Sequence, residues 1–469
     1  MTGHDISYIE SDTIYPIPEN RRHGTASSLF SLWFGNNVKF LTLVTGSLAV
    51  SAFHLGVVPA IAALVAGNVI GAALMAAHAA QGPRLGVPQM IQSRGQFGSY
   101  GALLAIGVTL LIYVGYTTSG IAVAGNAIHS AFPAVPSTPV IVTSGLAAMV
   151  LAIMGHDAIH RSARIITICS GIILSLCTLK FLVGMKLPDH ALWGNGFTLR
   201  DFVGALSVAA LWQISYAPYV SDYSRYLPVR TGPSAAFWAT WSGAALGSCL
   251  PMFLGVILGA EAPSVDVLTT FSTGLGVFSH PIVVLLTLTL ACNAAIDVYG
   301  GMLVGITLVH TFLPGWRPGQ RARIGFCVLL AFSGILAAAG TASTFLHSYM
   351  NFLFLMLYIL IPWSAINLVD YYMIRRGEYD VKSFFQPDGG VYGYFNTRAL
   401  FAYLVGIIVQ IPFVVSDLYT GPVAKMLGGA DLSWFVGLAV VCPLYFFLCR
   451  DNVAAQALPM GDVGTHAGS

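Results

Sequence analysis

The stretch LWQISYAPYVSDYSRYLP, residues 211–228, constrains the fold of this chain more than any other. An apolar segment meets Pro218 in its own middle and ends in a charged, aromatic turn with Asp222, Arg225 and Tyr226. Proline has no N–H, so the carbonyl four residues earlier, at Ile214, loses its helical donor. In a bilayer a free backbone carbonyl survives only where protein buries it or a cavity wets it. This order of residues predicts a discontinuous membrane helix, the kind of element that lines central binding sites near the bilayer midplane.

Composition agrees. Of 469 residues, 56% are hydrophobic and only 9% charged, against about 25% charged in a soluble domain. The expected class is an all-α polytopic membrane protein whose first partner is the lipid bilayer. A net charge of +2 gives no basic surface for nucleic acid, which is excluded as a partner. Residues 1–26 carry Glu10, Asp12, Glu19, Arg21 and Arg22 and no apolar core, so no cleavable signal peptide is expected. The seven cysteines lie in or beside apolar segments without metal-ligand spacing and read as small buried hydrophobes. No cofactor and no metal are expected.

A span needs about 20 apolar residues. Twelve are expected, near 27–50, 54–80, 100–129, 138–155, 164–185, 201–220, 234–259, 280–312, 323–341, 346–369, 398–416 and 431–449. With the N-terminus inside, only Lys186, Arg200 and Lys425 of the 21 basic residues face out, and Lys39 and Lys180 lie within spans. All the others face the cytoplasm, so both termini are placed there and the protein in the cell membrane.

Span 1 is interrupted as well. It reads LWFGNNVKF over residues 32–40, with Gly35 and two asparagines in mid-span. Spans 1 and 6 are five apart, which fits two five-helix repeats of opposite orientation. Matching interruptions in two halves point to a central binding site. The expected organisation is a cytoplasmic tail (1–26), a first repeat (27–185) and a second repeat (201–369). A cytoplasmic loop (370–397), two further spans (398–449) and a second tail (450–469) follow.

Five motifs now stand in order: WFGNNV in span 1, GPRLGVPQMIQSRGQFGSYG after span 2, APYVSDYSRYLP at span 6, NAAIDVYGG in span 8 and IPWSAINLVDYYMIRRGEYD ending span 10. Together they resemble the purine–cytosine permease family, the nucleobase–cation symporters that include allantoin and hydantoin carriers. The resemblance runs from about Ser27 to Arg450. It implies a LeuT-type 5+5 inverted repeat, alternating access and import of a small flat nitrogen heterocycle, with no catalytic residues.

A nucleobase presents a hydrogen-bonding edge and two π faces, so its site wants aromatic platforms and a few amides or hydroxyls. On span 6, Trp212 or Tyr216 could stack, with Gln213 and Ser215 on the edge. The resemblance puts the family's stacking position at Gln213 or Trp212. On span 3 it puts an aromatic and a polar residue one turn apart, at Tyr113 and Thr117, which share a helix face. Thr118 and Ser119 read as interhelical hydrogen-bonding groups. Asn293 matches an asparagine typical of the family, and Asp297 stands where asparagine is frequent. A carboxylate in mid-span costs at least ~2.5 kcal/mol and is a functional candidate by default; its other reading is as a bridge between the broken helices. Asn36 and Asn37 complete the substrate candidates. Pro218, Asp222 and Arg225 are read as gate or structural residues, with Asp222–Arg225 and Asp370–Arg375 as ion pairs at the cytoplasmic end. Arg84 and Arg94 are read the same way.

In sodium-coupled relatives the ion sits between carbonyls of the broken first helix, here Gly35 and Val38, and hydroxyls of span 8. Counted through Asn293, those hydroxyl positions hold Ala291 and Cys292, poor ligands for a hard cation. Lys39 lies one turn past Gly35 and needs a partner; Asp297 is the acidic residue placed deep in a span. The expectation is a Lys39–Asp297 pair and coupling to H+ in preference to Na+. An amino-acid permease of the same fold, a membrane-embedded enzyme and a channel are the alternatives. His156 and His160 have i, i+4 spacing but fall in the short loop between spans 4 and 5 and read as loop residues. The exact heterocycle and the oligomeric state are left open.

Overall fold

The structure is a computed structural model that describes residues 13–184, 191–194, 197–341, 345–416 and 419–450; Lys186, residues 1–12 and the tail 451–469 lie outside them. The described chain is helical, with a single isolated bridge between Val415 and Thr420. Its helices are α1 (Ala26–Asn37), α2 (Phe40–Ser51), α3 (Val57–Ala79), α4 (Gly82–Leu85), α5 (Gln89–Phe97), α6 (Leu103–Ala131), α7 (Ser137–Met154), α8 (His156–Gly184) and α9 (Leu199–Ile214). They continue as α10 (Val220–Ser224), α11 (Gly232–Glu261), α12 (Val267–Leu275), α13 (Ser279–Phe312), α14 (Gln320–Thr341), α15 (Phe345–Val369), α16 (Thr397–Gln410), α17 (Pro422–Met426) and α18 (Ser433–Cys449).

Among the described residues six helices are long and apolar enough to cross a membrane unaided. The pairs α1–α2 and α9–α10 are each one span in two short pieces. In the first, Val38 and Lys39 leave helical geometry, with Lys39 extended at φ −150° and ψ 164°. Side chains satisfy the freed backbone: Asn37 Nδ2 donates to the Trp33 carbonyl (2.7 Å) and Thr42 Oγ1 to the Asn37 carbonyl (2.6 Å). In the second, α9 stops at Ile214, the residue whose carbonyl Pro218 cannot serve. A 3-10 turn over Ala217–Tyr219 precedes the restart at Val220.

Lipid-facing stripes show how the chain sits. Along α8 the residues Ile165, Ile168, Ile172, Leu176, Leu179 and Val183 are each more than half exposed, at spacings of three and four. An apolar stripe of that length has no place in water; with the apolar spans it makes the chain a multi-pass integral membrane protein. The 34 residues of α13 rise about 51 Å against a hydrocarbon core of about 30 Å, so this helix must tilt or project.

Two elements were not foreseen. Every residue of α5 is buried, including Arg94, which donates to the Phe384 carbonyl (2.7 Å), the Thr307 carbonyl (3.2 Å) and Thr311 Oγ1 (2.8 Å). Arg94 is therefore an interior brace between α5, α13 and the 375–397 loop, not a headgroup-level residue; Arg84 is exposed, as expected. Helix α8 starts at His156, eight residues before the expected span, so His156 and His160 are helical and not in a loop.

Candidate functional site

The two broken spans meet. Trp212 Nε1 of α9 donates to Asn37 Oδ1 of α1 (2.6 Å), and Ser248 of α11 donates to the same oxygen (2.9 Å). Trp33 packs on Tyr216 and Tyr219, with ring centroids at 5.7 and 6.4 Å. Lys39, freed from the helix by the break, holds Nζ 5.4 Å from the Trp212 ring and 5.9 Å from the Tyr216 ring. Cation–π attraction makes these rings a favourable seat for a desolvated ammonium.

Helix α6 supplies the opposite wall. Tyr116 lies nearly parallel to Tyr216 (6.0 Å, 23°) and edge-on to Trp212. Its hydroxyl donates to Ser215 Oγ (2.7 Å), which in turn donates to the Trp212 carbonyl. Tyr113, one turn away, stacks at 4.7 Å on Tyr219 and points its hydroxyl at Asp222 Oδ2 (3.4 Å). It can lie there because Gly300 of α13 has no side chain: a Cβ would stand 2.0 Å from the Tyr113 hydroxyl. One turn beyond Tyr116, a Cβ on buried Gly120 would meet nothing within 4 Å. Open space therefore lies against α6 at that level.

Asn293 and Asp297 of α13 face this region, i and i+4 on one side of the helix. The field of Asp297 reaches Lys39, Tyr113, Tyr116, Tyr216 and Tyr219. Three buried polar atoms on the surrounding elements have no partner: Trp33 Nε1, Tyr219 Oη and Asn293 Nδ2. A buried donor left unpaired costs about 1–3 kcal/mol. Unpaired donors beside aromatic rings are the kind of lining that suits a flat polar ligand.

Several expected ligands have other employment. Gln213 points away from the pocket, donating to Asn68 Oδ1 (2.8 Å), the Ala244 carbonyl (3.1 Å) and Ser248 Oγ (2.7 Å). It ties α9 to α3 and α11. Gln213→Ala is accordingly expected to lower the unfolding free energy by about 1–3 kcal/mol, because buried partners are orphaned; thermal unfolding in detergent measures it. Asn37 is likewise spent on the break. Thr117 lays its methyl against Gly334 of α14, so the span 3 residue that joins Tyr113 at the pocket is Tyr116, at i+3. Of the span 6 residues, Ser215 is held by Tyr116, and Trp212 presents its ring. Gly35 and Val38 flank the first break.

Two further expectations need correction. Lys39 and Asp297 feel each other's charge, but among the described residues no direct ion pair joins them; the aromatic seat holds the ammonium instead. Ala291 and Cys292 lie roughly 120° and 140° around α13 from Asp297 at 100° per residue, so neither shares its face. Among the described residues, the buried hydroxyls without a partner on that helix are Ser279 and Thr287. Asp222 is 1% exposed and is not a headgroup residue. It accepts from the Gln89 N–H (2.8 Å) and from Tyr113, while Arg225 reaches the Asp222 carbonyl (3.3 Å) and the Thr13 carbonyl (2.8 Å). Asp370 and Arg375 do form their ion pair, at 3.1 Å. Sequence reasoning missed Trp33, Tyr116, Tyr219 and Gly120; the i, i+3 spacing of Tyr113 and Tyr116 was the signal available for one of them.

Comparison with known proteins identifies the type. A curated relative, the putative purine-cytosine permease YxlA of Bacillus subtilis (strain 168), is 37% identical over 452 residues, covering 96% of this chain and 98% of its own. The purine-cytosine permease fcyB of Emericella nidulans is 23% identical, covering 94% and 88%. Among solved structures, Mhp1, a nucleobase-cation-symport-1 family transporter in a closed conformation with bromovinylhydantoin bound, superposes with a TM-score of 0.75 at 18% identity over 96% and 97% of the chains. Its inward-facing conformation gives 0.69. These establish the LeuT-type fold, and such homologues are permeases, not enzymes. The family model for permeases of cytosine/purines, uracil, thiamine and allantoin matches residues 16–437, and the chain belongs to that family.

Proposed function

We propose that this protein imports cytosine, a purine or a related flat nitrogen heterocycle across the cytoplasmic membrane, by alternating access and with protons as the coupling ion. One arrangement carries the reading. Tyr116, Tyr216 and Trp212 stand together one turn from the open space at Gly120, and the unpaired amide donor of Asn293 belongs to an element beside them. A heterocycle matches both features, since its π faces suit the rings and its acceptors suit the amide. Lys39 at the first break and Asp297 within α13 support proton coupling, because a fixed ammonium repels a second cation. The relatives' names and the hydantoin bound to Mhp1 support the substrate class.

The test is counterflow in liposomes. Vesicles loaded with unlabelled cytosine, adenine, hypoxanthine, uracil, allantoin or a hydantoin are challenged with the labelled compound. At least one of these should give protein-dependent exchange, and leucine should give none. Exchange of leucine alone would overturn the substrate class.

A further inference from the structure

A second cluster lies away from the central site, where the basic residues mark the cytoplasmic face. A cavity of about 280 Å³ there is lined by His23, His156, Asp157, His160, Tyr223 and Tyr226, among others. His23 Nε2 lies 3.2 Å from Asp157 Oδ1, and His156 Nδ1 lies 3.4 Å from the same oxygen. The three ligand atoms all fall within 4.8 Å of one another. Ligands at about 2.0–2.2 Å from a tetrahedral ion stand roughly 3.3–3.6 Å apart. The two contacts through Asp157 already have nearly that length.

We propose that His23, His156 and Asp157 form a binding site for a divalent first-row transition metal of the zinc type, which ties the segment leading into α1 to the start of α8. The donor set decides the class. Two imidazoles and one carboxylate suit Zn²⁺, Ni²⁺, Co²⁺ or Cu²⁺, whereas Mg²⁺ and Ca²⁺ take oxygen ligands.

The surroundings build the site. His156 is 5% exposed and its ring lies 3.8 Å from Tyr226 at 24°, with His160 4.1 Å away on its other neighbour turn. This packing fixes the one buried ligand, as metal sites require of their supporting shell. The Asp157 side chain is 73% exposed and leaves a fourth position for water. His160 Nε2 is buried without a partner beside them. The elements joined matter too. His23 lies two residues before Thr25, the N-cap of α1, and α1 is half of a broken span. His156 and Asp157 open α8. An ion here fixes the entry of a substrate-site helix to a neighbouring span.

The experiment uses the full-length chain in detergent, free of any oligohistidine tag, titrated with Co²⁺ and then Zn²⁺. One equivalent of Co²⁺ should give the visible d–d absorption of a four-coordinate ion, and Zn²⁺ should displace it. Both His23→Ala and Asp157→Asn should weaken that signal at least about tenfold, while the control His129→Ala leaves it intact. These positions are exposed, so the variants should fold normally. Saturating Zn²⁺ should raise the unfolding temperature of the natural sequence and not that of Asp157→Asn. Absence of saturable binding, or binding unchanged in both variants, overturns the site. The spectral readout needs no transported substrate, so it stands apart from the outcome of the counterflow assay.

Discussion

Asn293→Ala is expected to weaken heterocycle binding roughly 5- to 150-fold, the equivalent of about 1–3 kcal/mol, while leaving the empty protein as stable as before or more so. The sign of the second effect is the informative part. Asn293 is 5% exposed and its Nδ2 has no partner, so the empty protein already bears the cost of a desolvated donor. Alanine removes that cost, whereas ligand binding loses the donor the site was holding. Gln213→Ala should show the reverse pattern, because its Nε2 is engaged with α3 and α11. Calorimetric titration with the counterflow substrate, run beside thermal unfolding of each variant, separates the two classes. Unchanged affinity in Asn293→Ala would remove that amide as an edge-reader.

The architecture was legible because membrane spans carry two independent signals. Apolar length sets their number and place, and Pro218 and the Gly35–Asn37 segment mark where two of them break. Both breaks stand where the residues put them, for the stated reason: the Ile214 carbonyl loses its donor, and Val38 and Lys39 leave the helix. What composition could not show was α5, whose polar sequence reads as a loop. It is buried because Gln89, Gln92 and Arg94 find partners on α10, their own helix and α13, and partners in three dimensions leave no trace in one.

The site was read less completely, and the errors share a cause. Helical spacing says which residues share a face but not which neighbour that face meets. Tyr113 and Thr117 share a face by count, yet the direction of α6 turns Thr117 onto Gly334 and brings Tyr116 to the break. Asparagine and glutamine were weighed as equivalent edge-readers, although Gln213 had structural partners within reach and Asn293 had none. Gly120 was invisible for a different reason: a glycine that lines open space looks the same in sequence as one that lets helices touch, as Gly300 does.

Replacing sodium with choline is expected to leave uptake largely unchanged, and Asp297→Asn is expected to abolish accumulation while sparing exchange. Coupling one proton to a neutral substrate yields about 2.3 kcal/mol per 100 mV of membrane potential, which is roughly 50-fold accumulation. A variant that binds the heterocycle but carries no charge with it should equilibrate its substrate and no more, so the expected loss is that whole factor. Asp297 is the candidate because its carboxylate is buried on α13 within electrostatic reach of Lys39, with no direct ion pair among the described residues to fix it. Lys39 sets the charge balance. In Lys39→Met the carboxylate stands alone in mid-membrane, at a cost of about 2.5–3.5 kcal/mol, so folded yield should fall. The double variant Lys39→Met/Asp297→Asn should recover the yield and still fail to accumulate. Vesicles with an imposed inside-negative potential, assayed for both accumulation and counterflow, distinguish these outcomes. A collapse of uptake in choline, with accumulation intact in Asp297→Asn, would move the coupling from the proton to sodium and leave Lys39 and Asp297 as partners in packing alone.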